Sequence, residues 1–574
     1  MSPKVWVGPA LAAVGLSVHG CNGGAGFFGS PDDAGTTVDA GKRMDSTPSD
    51  AMINLAESNG PHEGTITCAE AEASKSYIGC DYWPTVLPNS VWSTFDFTVV
   101  VANTQGSPAI VTVTGPEGVN QTTSVGPNSL AKIYLPWVPE LKGPDADSCG
   151  GTPPFTRSVI ARGGAYHLTS SVPVTVYQFN ALEFRAVGGP PGKNWNDCLG
   201  YALCPSEGEP VGCFSFTNDA SLLLPSTAMT GNYRVATQAG TTEYMEGGYF
   251  AITATRDGTN VTVGISSTGS VSAGQGVTAT GPSGTMTFSL DAGDVVLVMG
   301  EASDSADLSG SLVEATQPVE VFAGMQCADN PWGAAACDHL ESSVLPAETL
   351  GNDYVVTVPT SPHARLVGHV VRFYGNVDGT TLTYSPTQPP GCPSTLNAGQ
   401  VVECIGTPSC PYTDSMGKTQ TTACVTDTFE VTGTHEFSVS SFMLGGSVVD
   451  HEDPYIDSQG DPSMSPMVAT QQYRKSYIFL APTDYEESFT DIVIPNGTTL
   501  TLDGTPVNAT PAKINSSWSV VRLELTDTGQ NGAHVLTGTE PFGVQVLGYG
   551  AYTSYQYPAG LDLVPIAPPP PPIK

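Results

Sequence analysis

Basic side chains are scarce: 20 Lys and Arg stand against 55 Asp and Glu in 574 residues, a formal net charge of −35. That balance excludes nucleic acid as a partner, because phosphate binding needs clustered Lys and Arg. It equally excludes an electrostatic hold on anionic lipid. A calcium-rich exterior suits such acidity, although solubility is the plainer reason for it. Charged residues of both signs make up only 13% of the chain, about half the usual share. Thr, Ser, Gly, Val and Tyr take their place, as in extracellular β-rich proteins. Catalytic signatures are missing too. No GxSxG nucleophile elbow occurs, and Ser266 in Gly264–Gly269 is off by one. His435-Glu436 and His451-Glu452 lack the second His of HExxH, and there is no Walker A loop. Gly274-Gln275-Gly276 lacks the third glycine and the βαβ setting of a dinucleotide site. After the first 21 residues nothing is apolar for long enough to span a membrane.

The start of the chain points to export. Met1–Lys4 is weakly positive, Val5–Val18 is apolar apart from Pro9, and Val18-His19-Gly20-Cys21 follows. This resembles a bacterial lipoprotein signal peptide, in which the Cys becomes the lipidated first residue; His19 is an unusual lipobox residue. An ordinary secretory signal is the alternative. Asn22 is not the Asp that retains lipoproteins at the inner membrane, so by resemblance to known sorting rules the expectation is an outer-membrane or cell-surface lipid anchor at Cys21. Residues 22–66 are rich in Gly, Ser, Asp and Thr without hydrophobic periodicity, the composition of a flexible tether.

Cysteine usage agrees with an oxidising compartment. Setting Cys21 aside from the 13 leaves an even 12. Local spacing pairs Cys68 with Cys80, Cys327 with Cys337, Cys392 with Cys404 and Cys410 with Cys424. Cys149, Cys198, Cys204 and Cys213 then form two further pairs in an order that spacing leaves open. Zinc at Cys198, Cys204 and Cys213 is the competing reading, but no CxxC pair and no nearby His support it.

What the chain has is a repeat. Ser311–Ala315 and Val319–Ala323 alternate apolar with small or polar residues around Thr316-Gln317-Pro318, the pattern of a β-hairpin. Similar stretches recur at 170–180, 433–445 and 538–550. The segment 339–359 parallels 219–238, 370–385 parallels 249–264, and 396–406 parallels 290–300. The expected fold is all-β: tandem antiparallel modules of about 100 residues, eight short strands each, joined mostly as sequential hairpins. Sandwich-like modules are favoured, with propeller blades as the alternative. The expected division is 1–21 signal peptide, 22–66 tether, 67–184 module one, 185–218 a Cys-bearing insertion, 219–338 module two, 339–445 module three, 446–472 an acidic linker, 473–557 module four and 558–574 a Pro-rich tail. In module one, Phe95–Ala102 and Ala109–Thr114 read as a strand pair.

Asp219–Val235, Leu308–Cys327 and Ala335–Val356 carry a hairpin before a Cys, then Cys-Asp-His-Leu, then a Leu-Pro segment leading to Tyr-Val. Over roughly residues 90–557 the chain resembles the IgGFc-binding protein N-terminal domain family, in its bacterial branch of large secreted or lipid-anchored surface proteins. The resemblance implies an extracellular binding role and supplies no catalytic motif. The family's namesake binds the Fc part of IgG and carries further cysteine-rich domains that do not occur here, so IgG binding is not carried over.

Three stretches are candidate sites. Asp338-His339-Leu340-Glu341 beside Ser342 and Ser343 has the residue types of acid–base chemistry. Neighbouring strand residues face opposite ways, and a loop anchored at Cys337 with a turn cap at Asp338 or His339 is the favoured reading. Asp450, Glu452, Asp453, Asp457 and Asp461 form the densest acidic loop, a candidate calcium site. Its spacing is not that of an EF-hand, which favours a solvated linker. Tyr549, Tyr552, Tyr555 and Tyr557 either present a recognition surface or line the last strand and its core. The reading as a whole is a non-catalytic, disulfide-stabilised binding or adhesion protein at the cell surface, with a protein or glycan partner, no nucleic acid and no transmembrane helix. An extracellular hydrolase with an inter-module site and a structural spacer are the alternatives.

Overall fold

The computed structural model describes residues 52–54 and 66–573, apart from 206–207, 243–244, 332–333, 335–336, 405, 414–417, 451–457 and 526–531. The fold is all-β and antiparallel. Strands are of two kinds, and their burial separates them. Ala109–Thr114 and Thr259–Gly264 alternate buried with exposed or half-buried side chains, as strands with one wet face do. Phe97–Asn103, Tyr249–Ala254 and Val319–Ala328 are buried at every position. Each module therefore has an outer sheet facing water and an inner sheet covered on both faces.

Module two shows how this arises. Its outer sheet runs Asn232–Arg234, Leu312–Ala315, Thr259–Gly264, Thr285–Leu290. Its inner sheet runs Asp338–Ser343, Val319–Ala328, Tyr249–Ala254, Val295–Met299, Val159–Ala161. Tyr233, Val261, Val263 and Val313 from one sheet pack on Phe250, Ile252, Val296 and Val321 from the other, the core of a β-sandwich. Module three repeats the arrangement around Tyr354, Phe373, Leu396, Val431 and Phe437. These are sandwiches and not propeller blades.

The expected hairpins are corrected. Leu312–Ala315 and Val319–Ala328 do not pair with each other; they lie in opposite sheets. Tyr249–Ala254 and Thr259–Gly264 likewise separate, as do Thr285–Leu290 and Val295–Met299. In module one Phe97–Asn103 pairs with Ser129–Leu135 and His167–Phe179, not with Ala109–Thr114. The tight Pro- and Gly-bearing turns are corners at which the chain crosses from one sheet to the other. Alternation identifies a strand but not its partner. In modules one and four the crossing strand is unbroken: His167–Phe179 and Ala533–Gly550 each pair at one end in the outer sheet and at the other in the inner.

One tyrosine secures each corner. The hydroxyls of Tyr82, Tyr233, Tyr354 and Tyr477 donate to the carbonyls of Val174 (2.6 Å), Val319 (2.5 Å), Phe437 (2.6 Å) and Phe542 respectively. In modules two to four the same hydroxyl accepts the N–H three residues earlier, from Thr230, Gly351 and Arg474, at 2.9–3.2 Å. Phenol hydrogen bonds made twice and buried fix the angle at which the strand turns. Four equivalent corners mark four copies of one unit.

The four units close on one another. Modules one and two share the core of Val99, Tyr166, Tyr249, Leu297 and Phe322. Met325, Leu340, Phe442 and Met464 join two to three, and Met443, Phe489, Leu547 and Tyr549 join three to four. Tyr177, Phe179, Tyr477, Val546 and Tyr557 join four back to one. The tail completes the closure: Tyr77 N–H donates to Leu561 O (3.2 Å) and Leu563 N–H to Lys75 O (2.7 Å), while Ile566 and Ala567 bond Glu348 O.

Candidate functional site

The strand that follows each corner runs inward. Ala220–Leu222, Asp338–Ser343, Met464–Pro466 and Thr553–Pro558, one from each unit, pack together at the centre. Asp219 sits where they meet and is fully buried. Its carboxylate accepts N–H donors from all four strands: Ala220 (2.9 Å), Glu341 (3.1 Å), Met464 (3.3 Å) and Gln556 (3.4 Å), together with the Ser463 hydroxyl (2.8 Å). Burial pushes its carboxyl well up, and this ring of donors opposes the shift. Sequence reasoning missed this residue; its signal is a lone acid at the head of the apolar run Ala220–Leu224.

The Asp-His-Leu-Glu stretch is the second strand of the same axis, not a capped turn. Asp338 accepts from His339 N–H (2.7 Å), Thr553 Oγ1 (3.0 Å) and Ser554 N–H (3.1 Å). His339 turns the other way, with Nε2 3.3 Å from Glu341 Oε2, and Asn180 Nδ2 bonds the same oxygen. Burial pushes His339 down to about 3 and Glu341 up to about 8. Both are therefore neutral at pH 7, so the contact is not an ion pair. Burial also holds Asp338 and Asp461 up, and Asp461 adds its own charge against Asp338.

Acids, a histidine and serines thus meet, but they are sealed. The cavities beside the axis are about 20 Å³, lined by Arg234, Ser342, Ser440 and Met464 among others, and about 10 Å³, lined by Ser221, Ser343 and Tyr557 among others. The first has room for about one water and the second for less; neither admits a substrate.

Of the acidic-loop residues, Glu452, Asp453 and Asp457 lie outside the described residues. Asp450 is buried against the Arg365 guanidinium and His363 Nε2 (3.2 Å), and Asp461 lies at the axis. The structure therefore does not bring these two to one point. Among the described residues, no three His, Cys, Asp or Glu side chains are grouped to hold a metal ion. Cys21 and the tether, apart from residues 52–54 and 66, lie outside the described residues. Six disulfides form: Cys68–Cys80, Cys149–Cys204, Cys198–Cys213, Cys327–Cys337, Cys392–Cys404 and Cys410–Cys424. Cys198, Cys204 and Cys213 are thus not zinc ligands. Tyr549, Tyr552, Tyr555 and Tyr557 are buried, so they line the core and present no surface.

Exposed apolar side chains lie elsewhere. The insertion after module one is clamped by Cys149–Cys204 and Cys198–Cys213. On it Val187 is 63% exposed, Leu199 39%, Tyr201 48% and Leu203 63%. At its root lies Glu183, buried beside Tyr134, Lys132 and Asp484, its carboxyl pushed up to about 7 mainly by burial. This second buried acid was also not anticipated from sequence, because its neighbours come from a strand about 50 residues away and a turn about 300 residues away.

Comparison with known proteins gives one family. The family described as IgGFc binding protein matches residues 219–548, more than half of the chain. The human protein named IgGFc-binding protein is 31% identical over 204 residues, which is 34% of this chain and 3% of that protein. The chain therefore matches only a small part of this relative. A solved structure titled as the tetra-tandem repeat in the extending region of a large adhesion protein aligns over 84% of this chain and 100% of its own at 11% identity. Its TM-score of 0.09 carries no argument about fold.

Proposed function

Because this chain belongs to the IgGFc binding protein family, we propose that it is a non-catalytic extracellular binding and adhesion protein, held at a bacterial cell surface by a lipid on Cys21, that recognises a protein partner. The observation that carries the reading is the sealed axis. The residues with the most catalytic character, Asp338, His339 and Glu341, are fully buried, and the two cavities beside the axis, lined by the neighbouring Ser342 and Ser343, hold about 20 and about 10 Å³. A scaffold whose reactive groups are spent on holding four units together works through its surface. Six disulfides and the closed ring keep that surface rigid, which lowers the ordering cost of binding. The acidic, lysine-poor composition supports an extracellular setting.

The human relative's name makes the Fc fragment of IgG the first ligand to test. The experiment is biolayer interferometry of the purified ectodomain against Fc, beside a glycan array. Saturable Fc binding supports the reading. Glycan binding without Fc binding replaces the protein partner by a glycan, and binding to neither supports the structural-spacer alternative. Intact-mass analysis of the protein from its host tests the anchor: a chain beginning at acylated Cys21 supports it, and an unmodified start at any other residue overturns it.

A further inference from the structure

We propose that Val187, Leu199, Tyr201 and Leu203 on the disulfide-clamped insertion form the surface on which the protein partner docks, and that what docks is a protein face with an apolar centre and a rim of Lys and Arg. The proposal rests on the protein-partner reading above and adds to it a place and a chemistry.

The insertion is built to hold apolar side chains out. The short helical turn Leu199–Tyr201 lies with Gly200 against the Trp92 ring and the Gly212 carbonyl. A Cβ at position 200 would overlap Gly212 O and stand 2.5 Å from the Trp92 ring, so only glycine fits. Gly212 N–H donates to Gly200 O at 3.0 Å and closes the contact. With its centre pressed down, the turn raises Leu199 and Tyr201 on either side, and Leu203 follows immediately before the bridged Cys204. Val187 stands next to Ala186, whose N–H bonds Cys213 O. Leaving four such side chains in water has no stabilising purpose in the fold. On a rigid loop they are what a binding hot spot requires: aromatic and aliphatic anchors already ordered before contact.

The rim sets the sign of the partner. Both cations of the insertion are already engaged, Arg185 with Glu486 at 2.6 Å and Lys193 with Asp96 at 2.7 Å. Asp197 and Glu209 on the insertion, and Asp147 on the loop bridged to it, remain exposed. A complementary face is basic. The insertion also precedes the matched span, which begins at residue 219.

The test measures Fc binding by three forms of the protein: wild type, the triple variant Leu199→Ser/Tyr201→Ser/Leu203→Ser, and the control Leu366→Ser. Leu366 is 56% exposed in module three. Unchanged melting temperature and six intact disulfides confirm that each variant is folded. The expected result is a loss of roughly tenfold or more in affinity for the triple variant only, with wild-type binding weakened as salt rises. Wild-type binding that survives the triple substitution overturns the docking surface while leaving the protein-partner reading intact. Binding lost in the triple variant but indifferent to salt overturns the basic rim. No Fc binding by the wild type overturns the protein-partner reading as tested, and the docking proposal falls with it.

Discussion

Replacing Asp219 by Asn should destabilise the protein nearly as much as replacing it by Ala. The side chain is fully buried and accepts three close donors from other strands or neighbouring units: Glu341 N–H, Met464 N–H and the Ser463 hydroxyl, at 2.8–3.3 Å. A buried donor left without an acceptor costs about 1–3 kcal/mol. Three of them set a gross loss of about 3–9 kcal/mol in Asp219→Ala, partly offset because a buried carboxyl need no longer be desolvated. A net loss of about 3 kcal/mol follows. Asn keeps the size and one acceptor oxygen, but its amide turns a donor toward donors, so about 2 kcal/mol or more is lost there too. The assay is urea unfolding followed by tryptophan fluorescence and circular dichroism. Hydrogen exchange at the amides of Glu341 and Met464 should quicken in both variants. If the Asp219→Asn variant unfolds within about 0.5 kcal/mol of wild type and those amides stay protected, packing and not hydrogen bonding holds the axis, and the reasoning is wrong.

The pH dependence of stability has a definite sign. Glu341 and Glu183, raised from 4.5 to about 8 and about 7, stabilise fully below 4.5 and lose that contribution as pH rises through their folded values. His339 and His369, lowered from 6.5 to about 3, act oppositely, losing stability as pH falls below 6.5. Asp219, Asp338 and Asp461, also pushed up by burial, add to the loss as pH rises, so melting temperature should fall from about pH 6.5 to about pH 8 by the equivalent of about 3 kcal/mol or more; a rise over that range contradicts the assignment. Tyr354→Phe removes one donor and one acceptor bond at a corner, at 2.6 and 3.1 Å, and should cost about 1–3 kcal/mol in urea unfolding. The paired substitution Cys198→Ala/Cys213→Ala opens a loop of sequence separation 15, worth about 3 kcal/mol in the chain-entropy picture. Limited proteolysis should then cut first within the insertion, and cutting elsewhere first shows that the bridge serves the sandwich core instead.

Fold class, repeat and oxidising chemistry are written locally along the chain. Alternation over Thr259–Gly264 and Ala109–Thr114 is a property of a strand with one wet face, so it is visible in the sequence alone. The four closely spaced cysteine pairs are legible for the same reason: sequence separations of 10 to 14 keep their partners within reach. Everything that depends on which strand lies beside which emerges only when the chain folds. Leu312–Ala315 and Val319–Ala328 look like a hairpin because alternation and a Pro-bearing turn are all that a hairpin shows locally; their assignment to opposite sheets comes from the shared core. The crossed pairing of Cys149 with Cys204 and Cys198 with Cys213 depends on the fold of the insertion. Burial turned the terminal tyrosines from a candidate surface into core, and turned Asp338, His339 and Glu341 from candidate chemistry into a closed axis. Asp219 shows the limit most plainly. Its donors Glu341 and Gln556 stand 122 and 337 residues away in sequence, and only closure of four units around one point brings them to a single carboxylate.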